Sequence, residues 1–160
     1  MRIKLLPLIF LTIFLCSCYR NYEVYEFKST ENHYEWGLVD AKLIGNKELK
    51  RNTIVESSPY KLLIWFDSKE LPNKVIEIKN IKLVYADSLK TAFQKENIHL
   101  RDATIVKHSK YFSLKYLELE YHNIICYITF LYQEDTEIIE YKTKIHFETD
   151  FKKFKRIIGV

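Results

Sequence analysis

Glycine and proline each occur only three times in 160 residues. That scarcity excludes collagen-like repeats, flexible linkers and proline-rich stalks. It also leaves little material for the glycine-rich loops that cradle phosphates, and neither such a loop nor the Gly-x-Ser-x-Gly elbow of many hydrolases is present. Long hydrophobic runs are equally scarce. The apolar stretch between Lys4 and Tyr19 holds about 14 residues, against the roughly 20 that a helix needs to cross the hydrocarbon core. Metal-binding patterns are missing too: His33, His99, His108, His122 and His146 are scattered, no His-Glu-x-x-His helix occurs, and His99 with Asp102 offers only two ligands. No metal and no cofactor is expected. Charge of one sign does not dominate either, since 25 basic residues are interspersed with 21 acidic ones and no basic stripe suited to phosphates emerges. Nucleic acid is not an expected partner.

What is present describes a folded domain. Hydrophobic residues make up 48% and charged residues 29%, far from the composition of disorder. A chain of this length supports one core. Arg2 and Lys4 make a short positive start, Leu5 to Leu15 an apolar run, and Cys16-Ser17-Cys18 a small-residue boundary before the polar Tyr19-Arg20-Asn21. These are the three parts of an export signal.

The residues Leu15-Cys16-Ser17-Cys18 resemble the lipobox of bacterial lipoproteins, with a leucine three places before the cysteine and a small residue just before it. The resemblance implies cleavage between Ser17 and Cys18 and a diacylglyceryl group on Cys18. Cys16 is the poorer acceptor, because the large Leu15 precedes it. Residues 1–17 are thus expected to be the signal peptide, 18–21 a lipidated tether and 22–160 a single domain. A lipidated cysteine implies membrane attachment in the cell envelope, and Tyr19 in place of aspartate implies the periplasmic side of the outer membrane where two membranes exist. Cys126 would then be left without a disulfide partner, and its apolar flanks Ile124, Ile125, Tyr127 and Ile128 favour an inert buried thiol.

Most of the body reads as strands. Ile139, Tyr141, Thr143, Ile145 and Phe147 alternate with Glu140, Lys142, Lys144 and His146, the period-two signature of a half-buried strand. Residues 124–132 are apolar on both faces and belong centrally in a sheet. Residues 114–121 alternate as well, and His122-Asn123 between the two runs predicts an antiparallel hairpin. Upstream strands are expected over 22–28, 34–44, 60–66 and 74–85. In the last, the apolar phase slips near Asn80, through either a bulge or a break between two strands. Leu89, Ala92 and Phe93 predict a short helix within 88–97. A second helix is predicted at the C-terminus, capped by Asp150, with Phe151, Phe154, Ile157 and Ile158 on one face and Gly159 ending it. Either its two Phe and two Ile cap an open end of the core and the four basic residues are simply solvated, or those cations touch acidic lipids or an acidic partner.

The resulting fold class is all-β: a single antiparallel β-sandwich of immunoglobulin-like outline with a short C-terminal helix, a closed barrel being the alternative. Acidic pairs Asp67/Glu70 and Glu134/Asp135 read as solvated strand ends rather than acid-base pairs. No enzyme is expected. Twelve tyrosines suit half-wet sheet faces and recognition surfaces, and Tyr111, Tyr116 and Tyr127 are the candidates for an exposed binding patch. The expected function is that of a membrane-anchored interaction module binding another envelope or secreted protein, as an assembly component or an inhibitor of immunity type. The alternative is a binder of a small lipid or glycan.

Overall fold

The computed structural model describes residues 19–34, 37–68, 75–99, 104–106 and 109–157. The signal segment with Ser17 and Cys18, and also Glu70, Asp102 and His108, lie outside the described residues. Ten strands follow one another: β1 Tyr19–Ser29, β2 Asn32–Tyr34, β3 Gly37–Lys50, β4 Thr53–Ser68, β5 Val75–Tyr85, β6 Thr91–His99, β7 Thr104–Val106, β8 Ser109–Leu117, β9 Ile124–Glu134 and β10 Glu137–Ile157. Among the described residues there is no helix. The protein is all-β, with one hydrogen-bonded sheet in the order β2-β3-β4-β1-β10-β9-β5-β6, while β8 pairs with β4 and with β7.

Two long strands hold this sheet together by changing partners along their length. The first half of β10 pairs with β9 and its second half with β1. The start of β4 lies beside β1, whereas residues 60–67 lie beside β8. The β1–β4 pair is parallel, which corrects the expectation of a wholly antiparallel sheet. Phe66 of β4 meets Phe130 of β9 at a ring distance of 4.9 Å, although β1 and β10 separate their strands in the sheet order. The sheet therefore bends over a core, with Val39, Ala41, Leu43, Leu62 and Ile64 on one side and Ile78, Ile81, Leu83, Ile128 and Ile145 on the other, all of them buried. Burial of this apolar area, at about 25 cal/mol per Å², is the main force closing the fold. Lys110 bridges the two sides, its ammonium donating to the Val75 carbonyl at 2.8 Å; burial pulls its pKa down.

The β3–β4 pair carries a local irregularity. The register shifts between Gly45 and Asn46, opposite a β4 stretch that contains the cis Ser58-Pro59 peptide. A Cβ at Gly45 would stand 2.8 Å from the Ser57 nitrogen and 3.0 Å from its oxygen. Only glycine lets the two backbones approach this closely.

The C-terminal helix is overturned. Residues 137–157 form one strand of 21 residues, and the reason lies in β1, which offers a partner for each feature of the tail. Phe151 packs on Tyr25 and Phe154 stacks flat on Tyr22, at ring distances of 5.0 and 5.1 Å. These rings are three residues apart, so a strand sends them to opposite faces, and each face supplies its own tyrosine. Lys153 meets Glu23 at 2.7 Å, while Lys152 is paired with Glu26 and Asp150. A ten-residue helix without a packing partner is marginal in water; eleven ladder pairs with β1 outcompete it.

The helix expected within 88–97 is likewise a strand, β6, paired with β5. Leu89 sits in the connecting turn at φ 55° and is exposed, so its helical spacing to Ala92 and Phe93 is a coincidence of turn and strand. The phase slip near Asn80 resolves as bulges inside one continuous β5. The hairpin between 114–121 and 124–132 does not form. Tyr116, at φ 61°, lies in the irregular step before Leu117, the last β8 residue paired with β4, and residues 118–123 cross to the other side of the core, where β9 lies between β5 and β10. The strand from 124 is central, as its apolar pattern requires. Cys126 within it is fully buried, and burial pushes its thiol up to about 12.

One buried charge gives the fold a pH dependence. Asp40 on β3 is 6% exposed; its Oδ1 accepts the Ala41 N–H at 2.6 Å and the Ser29 hydroxyl at 3.5 Å. Burial raises its pKa above the ordinary carboxylate value and the charge of Glu31 adds to this, outweighing the opposing hydrogen bonds and Lys42. A carboxyl raised in the folded state contributes stability in acid, below its unfolded pKa, and loses that contribution as pH rises through the folded pKa. Asp40→Asn keeps the acceptor and the size without the charge. Its stability relative to the parent, read from urea midpoints, is expected to increase steadily from acidic to neutral pH; a difference independent of pH would refute the assignment.

Candidate functional site

The three candidate tyrosines do not form one patch. Tyr127 is 41% exposed on β9, between Lys82 of β5 and Lys144 of β10. Tyr111 is half-buried on β8, in register with Trp65 and Thr104. Tyr116 is 81% exposed at the end of β8 and flanks a shallow pocket of about 230 Å³ with Gly45, Pro59 and Lys61. Tyr111 and Tyr116 share β8 but sit five residues apart in different surroundings, and Tyr127 is on β9. Cys18 and Ser17 lie outside the described residues, but the strand that follows them begins at once, at Tyr19, so that residues 19–21 are part of β1.

A cleft of about 440 Å³ forms where the crossing segment 118–123 passes the β5–β6 turn and the middle of β10. Tyr85, the last residue of β5, organises it. Its hydroxyl oxygen accepts the Glu120 N–H at 3.0 Å, and its ring stands edge to face with that of His122 at 5.9 Å. Asn123 then ties three elements together: its carbonyl accepts the Ala86 N–H at 2.8 Å, and its side-chain oxygen accepts both the backbone N–H and the hydroxyl of Thr149, at 2.9 and 3.2 Å. The residue expected to turn a hairpin is instead a bracket between β10 and the β5–β6 turn. Tyr121 closes the floor by packing on Tyr25 and Phe27 and donating to the Glu26 carbonyl at 3.2 Å.

Against this rigid floor His122 is held between two carboxylates. Its Nδ1 lies 3.5 Å from Asp87 and its Nε2 3.7 Å from Glu120. All three side chains are more than half exposed, so water screens the pairing and it contributes little to stability. The arrangement offers an imidazole, two carboxylates, an amide and a hydroxyl around an open space, a set suited to hydrogen-bonding a polar ligand. Among the described residues no group of three or more His, Cys, Asp or Glu side chains is arranged to hold a metal ion. Glu134 and Asp135 lie at the exposed β9–β10 turn, far along the strands from this cleft.

Sequence reasoning missed His122 as a site residue because it read His122-Asn123 as a turn. The partners that give it meaning, Tyr85 and Asp87, lie 35 or more residues upstream. No family model matches the chain, and neither curated proteins nor solved structures contain a match to it.

Proposed function

We propose that the chain is a bacterial lipoprotein, acylated on Cys18, whose single domain is a non-enzymatic interaction module at the envelope membrane. The observation that carries this reading is the junction of sequence and fold: Leu15-Cys16-Ser17-Cys18 follows an apolar run and directly precedes the first residue of β1. A lipid on Cys18 places the sheet against the bilayer with no tether. Where the source has two membranes, the location is the inner leaflet of the outer one, facing the periplasm. The domain is a β-sandwich of immunoglobulin-like outline, a reading supported by the contact of Phe66 with Phe130 across the core. Tyr111, Tyr116 and Tyr127 present rings for an envelope or secreted protein partner, as in an assembly component or an inhibitor of immunity type.

The test is crosslinking in intact cells, extraction of membranes with the native anchor in place, and mass spectrometry of what is retained. A specific envelope or secreted protein is expected, and its yield falls when the exposed tyrosines become alanine. A second reading, glycan binding, draws on the open polar cleft at His122. A bound saccharide in native mass spectra, with no specific protein recovered, would put that reading first.

A further inference from the structure

Four strand ends meet at the place where Cys18 joins the fold. β1 starts there and β10 ends there, because the two run antiparallel from Tyr19↔Ile157. β4 starts there, parallel to β1 at Asn21↔Thr53, and β3 ends there at Lys50↔Thr53. Lateral neighbours share a face of a sheet. Leu49, Ile54, Tyr22 and Phe154 are such neighbours across four strands and make an apolar row, with Leu49 56% and Phe154 43% exposed. Two residues nearer the end, on the same face as Tyr22 and Phe154, Arg20 lies beside Arg156. Lys155 stands in the intervening row, Arg51 turns the chain from β3 into β4, and Tyr19 is 59% exposed.

The charges at this end differ from those further along the same two strands. There, Lys28, Lys152 and Lys153 are each matched by Asp150, Glu26 or Glu23. At the end, Lys50 has Glu48, but Arg20, Arg51, Lys155 and Arg156 have no carboxylate partner among the described residues.

We infer that this end of the sheet is a membrane-contact surface that binds anionic lipid headgroups. The inference rests on acylation of Cys18: adjacent Cα atoms are about 3.8 Å apart, so a lipid on that cysteine brings Tyr19 and its neighbours to headgroup depth. Four uncompensated cations next to exposed Tyr, Leu and Phe side chains match such a surface in both charge and polarity, since aromatic rings favour the interfacial zone and basic side chains its phosphates. The anchor confines the protein to the bilayer, and these residues set how the domain stands on it. The His122 cleft, bracketed by Thr149, then lies roughly 25 Å along β10 from the membrane, at about 3.3 Å per residue, on the flank of the domain.

The test uses the processed, membrane-extracted protein carrying Asn52→Cys with an environment-sensitive fluorophore. Cys126 is buried and does not compete for the label. The protein is reconstituted into vesicles of phosphatidylcholine alone or of phosphatidylcholine with phosphatidylglycerol. Emission is expected to shift to the blue only in the anionic vesicles, to revert at high salt, and to revert in the combined variant Arg20→Gln, Arg51→Gln, Lys155→Gln, Arg156→Gln. Emission that ignores lipid charge and salt overturns the inference, as does capture of an envelope protein by this end with no dependence on lipid. The salt series on the unmutated surface keeps the test decisive if the combined variant misfolds. Intact mass of the same sample reports the acyl group separately. Without that mass the lipoprotein reading fails, and the surface is then tested by co-sedimentation with the anionic vesicles, where each cation removed is expected to weaken binding about five-fold and absence of binding overturns it.

Discussion

Replacing Cys18 by serine is expected to abolish acylation, block cleavage and convert a protein that needs detergent for extraction into one released from membranes by alkaline or chaotropic washing. At about 0.8 kcal/mol per buried methylene, two fatty chains of ordinary length contribute on the order of 20 kcal/mol of membrane attachment, which aqueous washing does not overcome. The serine variant keeps only the apolar run before Tyr19, about 14 residues and too short to cross the hydrocarbon core without strain. What remains is that short segment plus the cations of the sheet end, an attraction that salt screens. Cys16→Ser is the matched control, because on the lipoprotein reading residue 16 is removed with the signal peptide, and its loss is expected to change neither mass nor extraction of the product. Intact mass and stepwise extraction check both variants. A serine 18 variant that still requires detergent, together with a parent that lacks acyl mass, would refute the lipoprotein reading.

Much of the fold was legible because local patterns reported it. Alternation from Ile139 to Phe147 marked the first half of β10, and the two-sided apolar run from Ile124 identified a strand flanked on both edges. The slip at Asn80 correctly signalled an irregularity within β5. Apart from the helix expected within 88–97, which rested on a coincidence of spacing beside a local turn, the failures involve segments whose conformation is decided by a distant partner: Lys152 reaches Glu26 across 126 positions, and the tail is a strand because β1 matches it on both faces. Read alone, Phe151, Phe154 and Ile157 satisfy a helical period as well as they satisfy alternating faces of a ribbon. Residues 114–121 alternated convincingly, yet β8 pairs with β4, some fifty positions upstream, and beyond Leu117 the chain leaves the sheet. The cleft was invisible for the same reason, since its bracket joins Asn123 to Ala86 and Thr149.

Phe130→Ala is expected to cost about 3 to 5 kcal/mol, a large part of the roughly 5 to 15 kcal/mol available to a domain of this kind. Phe130 is fully buried in β9. It contacts Phe66 across the core at 4.9 Å and Tyr141 on the neighbouring β10 at 5.7 Å, with rings inclined by 59° and 15°. Truncation therefore removes a central ring contact between the two sides of the bent sheet, and also opens a cavity that neighbours anchored in continuous ladders cannot collapse to fill. Phe151→Ala deletes a ring of the same size that is 49% exposed and packs chiefly on Tyr25. Its cost is expected to stay near 1 kcal/mol, the value of one aromatic pair without deep burial. The comparison isolates burial from ring chemistry. Urea midpoints with an unchanged slope give both values, and equal losses at the two positions would mean that the sheet does not close on Phe130. Phe130→Leu retains most of the volume and should recover more than half of the loss, because the contact across the core depends on filled space more than on aromaticity.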